Sequence, residues 1–364
     1  MSNTIMRIVF RVEGNLKIGL GHMMRCLALA QGLTREGHQV KFITSQASQE
    51  FCQKRNDWVG KCILIEDMPL KQEAQWLKAQ CENLAADWLI LDGYQFDQTY
   101  RQILSANRFK FAVFDDLNDS GQLHADLVIN GANNAQQLNY LKSEPKAKLA
   151  IGSAYQVLRQ EFLDLDRENW SQRKTLTLMF GGSDTYNLTL PVLQNLIQSN
   201  LTLPIVVVTG AAYSQLNKLS EVIQDAQQDI SHIHDCQNMA EILLDTKLAV
   251  SAAGGSQFEL LACATPAILV VVAKNQITAT QHALTQAWCQ VINNQVNNDH
   301  ELTDQEITDQ ELTEQQISEQ VISLWQQTEL LHTMHSKALE LPVPDGAKNI
   351  VNLMFNQQSQ SVDT

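Results

Sequence analysis

The 364-residue chain reads as an α/β protein of two successive Rossmann-like domains, and three observations predict this. Short apolar runs alternate with longer polar, helix-compatible ones, the pattern of parallel β-α-β units. The alternation weakens between Gly131 and Asn169 and then restarts. The glycine-rich turns fall at the carboxyl ends of strand candidates, where open α/β sheets bind ligands. Chain length favours two domains over one. A 44% hydrophobic fraction supplies two cores of ordinary size. The expected division is residues 1–150, residues 151–356 and a disordered tail over 357–364, with the two domains facing a cleft.

The first strand is expected at Ile5–Val12, an apolar run broken only by Arg7 and Arg11. A helix follows at His22–Glu36. Further strands are expected at Gln39–Thr44, Cys62–Ile65, Trp88–Asp92, Phe109–Phe114 and Leu127–Asn130, with a helix at Lys71–Ala85 between them. In the second half, Thr175–Phe180 runs into Gly181-Gly182-Ser183-Asp184, and Ile205–Val208 into Thr209-Gly210. Lys247–Ser251 ends in Ala252-Ala253-Gly254-Gly255-Ser256, and Ala267–Val272 in Ala273-Lys274-Asn275-Gln276.

Composition removes several function classes. The net charge of −14 and the pI near 5.0 come without basic clusters, so no nucleic-acid partner is expected. No stretch approaches 18 uncharged apolar residues, so no membrane span is expected. The start, Met1 to Thr4, lacks the basic and apolar parts of a signal peptide. Seven scattered cysteines, none in C-x-x-C, point to reduced thiols in the cytoplasm rather than to a disulfide framework or a metal site. Asp164-Leu165-Asp166 has a D-x-D spacing but lies in a charged, helix-like stretch, and is read as a solvated helix face. No G-x-S-x-G elbow supports serine hydrolase chemistry.

One segment is repetitive. Glu301-Leu-Thr-Asp-Gln, Glu306-Ile-Thr-Asp-Gln, Glu311-Leu-Thr-Glu-Gln and Gln316-Ile-Ser-Glu-Gln form a five-residue repeat. Apolar residues five apart step round a helix by roughly 140° and build no single buried stripe. The segment is therefore expected to be an acidic, solvated surface segment, extended or in part helical, and dispensable for chemistry, with an interaction tail as the other reading.

The most informative stretch is Gly19-Leu20-Gly21-His22, at a strand-to-helix turn. Gly19 and Gly21 let a ligand approach the backbone, and the helix start favours an anion. His22 is of the one residue type that moves protons near neutral pH. A dinucleotide fingerprint would need glycine at Met24, and no Gly-Lys-Ser/Thr of a P-loop follows.

The full stretch from Ile18 to Ala30 resembles the N-terminal signature of the UDP-sugar hydrolases of pseudaminic acid biosynthesis, which cleave UDP from a 2,4-diacetamido-2,4,6-trideoxy-L-altrose donor. The resemblance implies the two-domain glycosyltransferase-B architecture, a UDP-sugar substrate, no cofactor, and His22 as catalytic base. It continues through ordered stations over roughly residues 5 to 290. Gly181-Gly182-Ser183-Asp184, with Asn187, resembles the family's GGSD-x-x-N segment. Asn275-Gln276 matches a family pair that follows an acidic residue, here replaced by Lys274. Asp92-Gly93-Tyr94 resembles Asp-Ser-Tyr, with the serine lost; Tyr94 either packs on the sugar or sits at the rim. Tyr155 to Phe162 fits Tyr-x-Leu-Leu-Arg-x-Glu-Phe, and its Arg159 either meets phosphate or pairs with an acid.

Each turn also has a local reading. Ser183 or Asp184 would cap a helix, and Ser256 and Glu259 have capping-box spacing. The ligand reading instead brings phosphate or sugar oxygens to Gly181, Gly182, Ser183 and Asp184, and a diphosphate to Gly254, Gly255 and Ser256. Glu259 then accepts the ribose hydroxyls, and Asn275 and Gln276 meet acetamido and hydroxyl groups. Two other functions remain: a transferase with the same donor site and an acceptor hydroxyl, and a catalytically silent nucleotide-sugar binder.

Overall fold

The computed structural model describes residues 4–14, 19–105, 107–199, 201–293 and 314–355. The chain forms two compact units. One comprises the chain up to Gln160 and again from Pro344, and the other Glu161–Val343. The crossing thus lies inside the stretch where the β-α alternation fades. The last segment returns to the first unit, whereas a division at residue 150 assigned it to the second.

In the first unit, β1 (Arg7–Val12), β2 (Gln39–Thr44), β3 (Lys61–Leu64), β4 (Trp88–Asp92), β5 (Lys110–Phe114), β6 (Leu127–Asn130) and β7 (Lys148–Ile151) form one sheet. Its order is β3-β2-β1-β4-β5-β6-β7, with every pairing parallel. Helices α1 (Gly21–Arg35), α2 (Gln46–Lys54), α3 (Leu70–Asn83), α4 (Gln98–Ser105) and α5 (Tyr140–Ser143) connect these strands. Strand β4 is buried throughout, which is why it reads as a continuous apolar run rather than an alternation.

The second unit repeats the plan. Its strands are β8 (Thr175–Met179), β9 (Ile205–Thr209), β10 (Ile230–His234), β11 (Thr246–Ala252), β12 (Ala267–Val270) and β13 (Cys289–Ile292). They pair in parallel in the order β10-β9-β8-β11-β12-β13. Its helices are α6 (Thr189–Gln198), α7 (Leu216–Asp225), α8 (Met239–Asp245), α9 (Ser256–Ala262), α10 (Lys274–Thr285), α11 (Glu314–Trp325) and α12 (Thr328–Glu340). Three strands carried no sequence expectation: β7, β10 and β13. All three are sheet edges, short and partly exposed, and β10 carries His232 and His234 in place of a buried apolar run.

The returning helix α13 (Gly346–Phe355) places Ala347, Ile350, Val351 and Met354 in the core beside α1. The contact is close: a Cβ added at Gly32 of α1 would lie 2.5 Å from that of Ala347. Spacing of i, i+3, i+4 and i+7 marks a buried helix face but not which sheet it covers.

Two sequence readings change. Of the acidic repeat, residues 301–313 lie outside the described residues. Its last unit begins no solvated segment: Gln316 to Gln320 belong to α11, and Ile317 is fully buried with Val321 and Leu324 against α6. Ile317, Val321 and Leu324 are spaced by four and three, so the repeat's final apolar residue joins a helical stripe that continues beyond it. The D-x-D stretch is exposed at Asp164 and Asp166 but not helical, and Asp164 is left-handed at φ +58. Among the described residues, no helix is long and apolar enough to cross a membrane.

Candidate functional site

Both sheets reverse their strand order once, between β1 and β4 and between β8 and β11. At such a point the loops leave in opposite directions and open a crevice beyond the carboxyl ends. Every turn singled out in the sequence belongs to a strand at or next to one of these points.

In the first unit, β1 and β4 end level, Val12 beside Asp92. The chain beyond β1 is tied down from beneath. Arg11 is buried and binds Glu73 at 2.8 Å and Glu13 at 2.5 Å. Glu13 in turn accepts from the Ser45 amide (2.9 Å) and from the Ser45 and Ser48 hydroxyls (2.6 and 2.5 Å). The Gly14 amide donates to Ser48 Oγ at 3.0 Å. Helix α1 begins at Gly21, so His22 sits in its first turn. At Gly19 and Gly21 a Cβ would meet nothing within 4 Å, so the space over the turn is open.

His22 Nδ1 lies 2.7 Å from Oδ1 of Asp92, a fully buried carboxylate. Arg25, one turn on, grips the same carboxylate by both oxygens: Nε donates to Oδ2 at 2.6 Å and Nη2 to Oδ1 at 2.7 Å. Its Nη1 donates to Asp116 Oδ1 at 2.7 Å. The Tyr94 hydroxyl donates to Asp116 Oδ2 at 2.6 Å, and its ring meets the His22 ring edge-on at 4.8 Å. The guanidinium also covers the Phe114 ring at 5.0 Å. Burial opposes ionisation of Asp92, but Arg25 and His22 outweigh it and hold the carboxyl below its usual value. Asp116 is held low in the same way, against burial, by Arg25 and Tyr94. Packing around the Tyr94 hydroxyl and Asp116 beside it push its ionisation up.

This is a histidine whose ring is oriented by a buried carboxylate. With a proton on Nδ1 directed to Asp92, the Nε2 lone pair is left to accept one from elsewhere. A pocket of about 250 Å³ adjoins the cluster, lined by Arg25, Asp92, Tyr94, Phe96, Phe114 and Asp116 among others, though not by His22. Tyr94 is 66% exposed, so it stands at the rim. Arg159 is buried and lies 3.7 Å from Asp57 within this unit, the acid-pairing alternative.

The second unit is built differently. Gly181 follows β8 at φ +85, a conformation that favours glycine, and a Cβ there would meet nothing. Gly182 packs against Gly210 after β9, where a Cβ would lie 2.4 Å from the Gly182 Cα. Asp184, read from the sequence as either a ligand contact or a helix cap, is buried and accepts from the amides of Leu188 (2.9 Å) and Thr189 (2.8 Å). Both its oxygens thus secure the start of α6. Because α6 begins at Thr189, the Gly181–Ser183 turn is a loop rather than a helix N-terminus. Ser183 remains partly exposed, its hydroxyl 3.0 Å from that of Thr185.

Helix α9 begins at Ser256 with Gly255 as N-cap and no side-chain cap, so the Ser256–Glu259 capping box does not form. Gly255 has φ −56, open to any residue, and a Cβ there would meet nothing within 4 Å. Neither backbone strain nor packing therefore requires this glycine. Glu259 lies one turn in and is half-buried. Gln276 accepts from the Val272 amide at 2.9 Å, and its Nε2 is the nearest atom to a Cβ built on Gly254, at 3.7 Å. It therefore braces the end of β12 and lies beside the Gly254 turn. Asn275 occupies the first turn of α10.

Sequence reasoning named Asp92 only as a strand end and Arg25 only as part of the stretch from Ile18 to Ala30, and gave Asp116 no role. The signal was present: Arg25 is three residues from His22 and shares its helix face. Asp92 ends β4 and Asp116 follows the adjacent parallel β5, beside the order reversal.

Residues 176–350 match the C-terminal domain of glycosyltransferase family 28. The chain is 26% identical over 281 residues to an uncharacterized protein of Methanocaldococcus jannaschii, covering 75% of this chain and 56% of that one. It thus spans little more than half that relative's length. It is 23% identical over 278 residues to the UDP-2,4-diacetamido-2,4,6-trideoxy-beta-L-altropyranose hydrolase of Campylobacter jejuni, covering 76% and 95%. Among solved structures it resembles MurG of Acinetobacter baumannii, with a TM-score of 0.64 at 13% identity over 96% and 99% of the two chains. The fold is that of the glycosyltransferase-B class, two parallel-sheet α/β units.

Proposed function

We propose that this chain hydrolyses the anomeric C–O bond of a UDP-sugar, releasing UDP and the free sugar. The observation that carries the reading is the His22–Asp92 pair, in which the imidazole meets a buried carboxylate through Nδ1 and keeps Nε2 for another partner. The Campylobacter relative's activity supports UDP-2,4-diacetamido-2,4,6-trideoxy-beta-L-altrose as the substrate, in pseudaminic acid biosynthesis. UDP is a good leaving group, so its departure needs charge stabilisation more than protonation. In this reading the amides at Gly254, Gly255 and Ser256, with those of Gly181, Gly182 and Ser183, receive the diphosphate. Glu259 accepts the ribose hydroxyls. In the second unit Asn275 contacts acetamido or hydroxyl groups and Gln276 holds the Gly254 turn in place; in the first, Tyr94, Gly19 and Gly21 serve substrate binding beside His22.

Water is the poor nucleophile. His22 Nε2 takes its proton as the oxygen attacks the anomeric carbon opposite UDP. The bond to UDP breaks as the new C–O bond forms, so the anomeric centre inverts without a covalent intermediate. The match to a glycosyltransferase domain supports a second reading, in which an acceptor hydroxyl replaces water. Screening UDP-sugars for UDP release without acceptor, with the product identified by NMR, separates the two. Release with no acceptor is the expected result, and strict dependence on an acceptor contradicts it.

A further inference from the structure

The His22–Asp92 pair alone carries a difficulty. A buried carboxylate 2.7 Å from an imidazole stabilises the protonated ring, and a protonated ring is no base. The groups that face His22 are Asp92 from β4, Arg25 from its own helix, Tyr94 from the segment after β4 and Asp116 from the segment after β5. Cys26 completes the set, its thiol 3.5 Å from Asp92 Oδ2. Among the described residues of this set, Arg25 is the cation. It meets both oxygens of Asp92, and its Nη2 comes within 3.2 Å of His22 Nδ1. Asp116 and the Phe114 ring fix the guanidinium in that place.

We propose that Arg25 is a positioning residue that keeps His22 available as a base: by neutralising Asp92 in a two-pronged grip, it lets the carboxylate orient the imidazole without holding a proton on it. The fork geometry matters as well as the charge, since lysine has no planar pair of donors. Asp116 acts with opposite sign, because its charge draws on Arg25 and favours the protonated ring. The inference rests on His22 being the base, and its test reads the protonation of His22 itself.

The experiment is an imidazole nitrogen–proton NMR titration of the full-length, histidine-labelled protein. His22 is identified by the signal lost in His22→Asn. In Arg25→Gln, the pH at which His22 takes up its proton moves upward by roughly one unit. Arg25→Lys returns it close to wild type while kcat stays low, because the charge is restored and the fork is not. Asp116→Asn moves it downward. In active variants, the acid limb of kcat/KM moves in the same directions. An unmoved or lowered midpoint in Arg25→Gln overturns the proposal. If that variant does not fold, Asp116→Asn decides, and a midpoint that fails to fall overturns it. Midpoints that move as expected in a protein that releases no UDP leave the role of Arg25 standing and refute the hydrolase reading.

Discussion

The two units share a sheet plan and place their candidate sites at the same topological point, yet they build them from opposite materials. At the β1/β4 reversal, five side chains converge: His22, Arg25, Asp92, Tyr94 and Asp116. At the β8/β11 reversal, the turns are glycines with open space above them, and the nearby Asp184 and Gln276 hold backbone in place. A site that moves protons needs titratable groups held in fixed geometry. A site that holds a polyanion works best with backbone amides and no bulk over them. The difference teaches where to look for loss of turnover and where to look for loss of binding.

The largest effect is expected at Asp92. Asp92→Asn keeps the shape but presents an amide to Nδ1 and releases Arg25. Removing the orienting group of such a base is expected to lower kcat by about 10²–10⁴, with UDP affinity, measured by calorimetry, nearly unchanged. A matching fall in UDP affinity would erase the division of labour between the units. Next in size is a stability effect in the second unit. Ile317→Ala empties a fully buried position between α11 and α6 and is expected to cost about 2–5 kcal/mol in denaturant unfolding. An unchanged transition would return the fourth repeat to the solvent.

Glu259→Ala tests the binding side. Loss of a charge-assisted contact of about 1.5–3 kcal/mol is expected to lower UDP affinity by one to two decades while the melting temperature holds. Intact affinity with lowered stability would make Glu259 a residue of the helix alone. The smallest effect is expected at Asp184. Asp184→Ala leaves the Leu188 and Thr189 amides without their acceptor, a loss of about 1 kcal/mol of stability. UDP affinity should fall much less than in Glu259→Ala. A larger loss of UDP binding would return Asp184 to the ligand site.

The same comparison explains what the sequence disclosed. The sheets were legible because buried parallel strands such as Trp88–Asp92 are uninterrupted apolar runs. The edge strands were not, because β10 exposes His234 and buries little. The glycine turns were visible as local patterns. The charged cluster was not, because Arg25, Asp92 and Asp116 are separated by 67 and 91 residues in its two ion pairs and are joined only by the parallel register. Asp184 stayed open for a related reason: one residue type either meets a ligand or caps a helix, and its bonds to the Leu188 and Thr189 amides at the start of α6 appear only in the fold. The return of α13 to the first sheet is likewise invisible in its own periodicity.

The central claim is that water, activated at His22, attacks the anomeric carbon. Turnover of the UDP-sugar in ¹⁸O-water, without acceptor, tests it most directly, with the released UDP analysed by mass spectrometry. The account predicts UDP release by the wild-type chain with no ¹⁸O in the β-phosphate, since the sugar C–O bond is the one that breaks, and loss of that release in His22→Asn. Label in the β-phosphate, or undiminished release by His22→Asn, would contradict it.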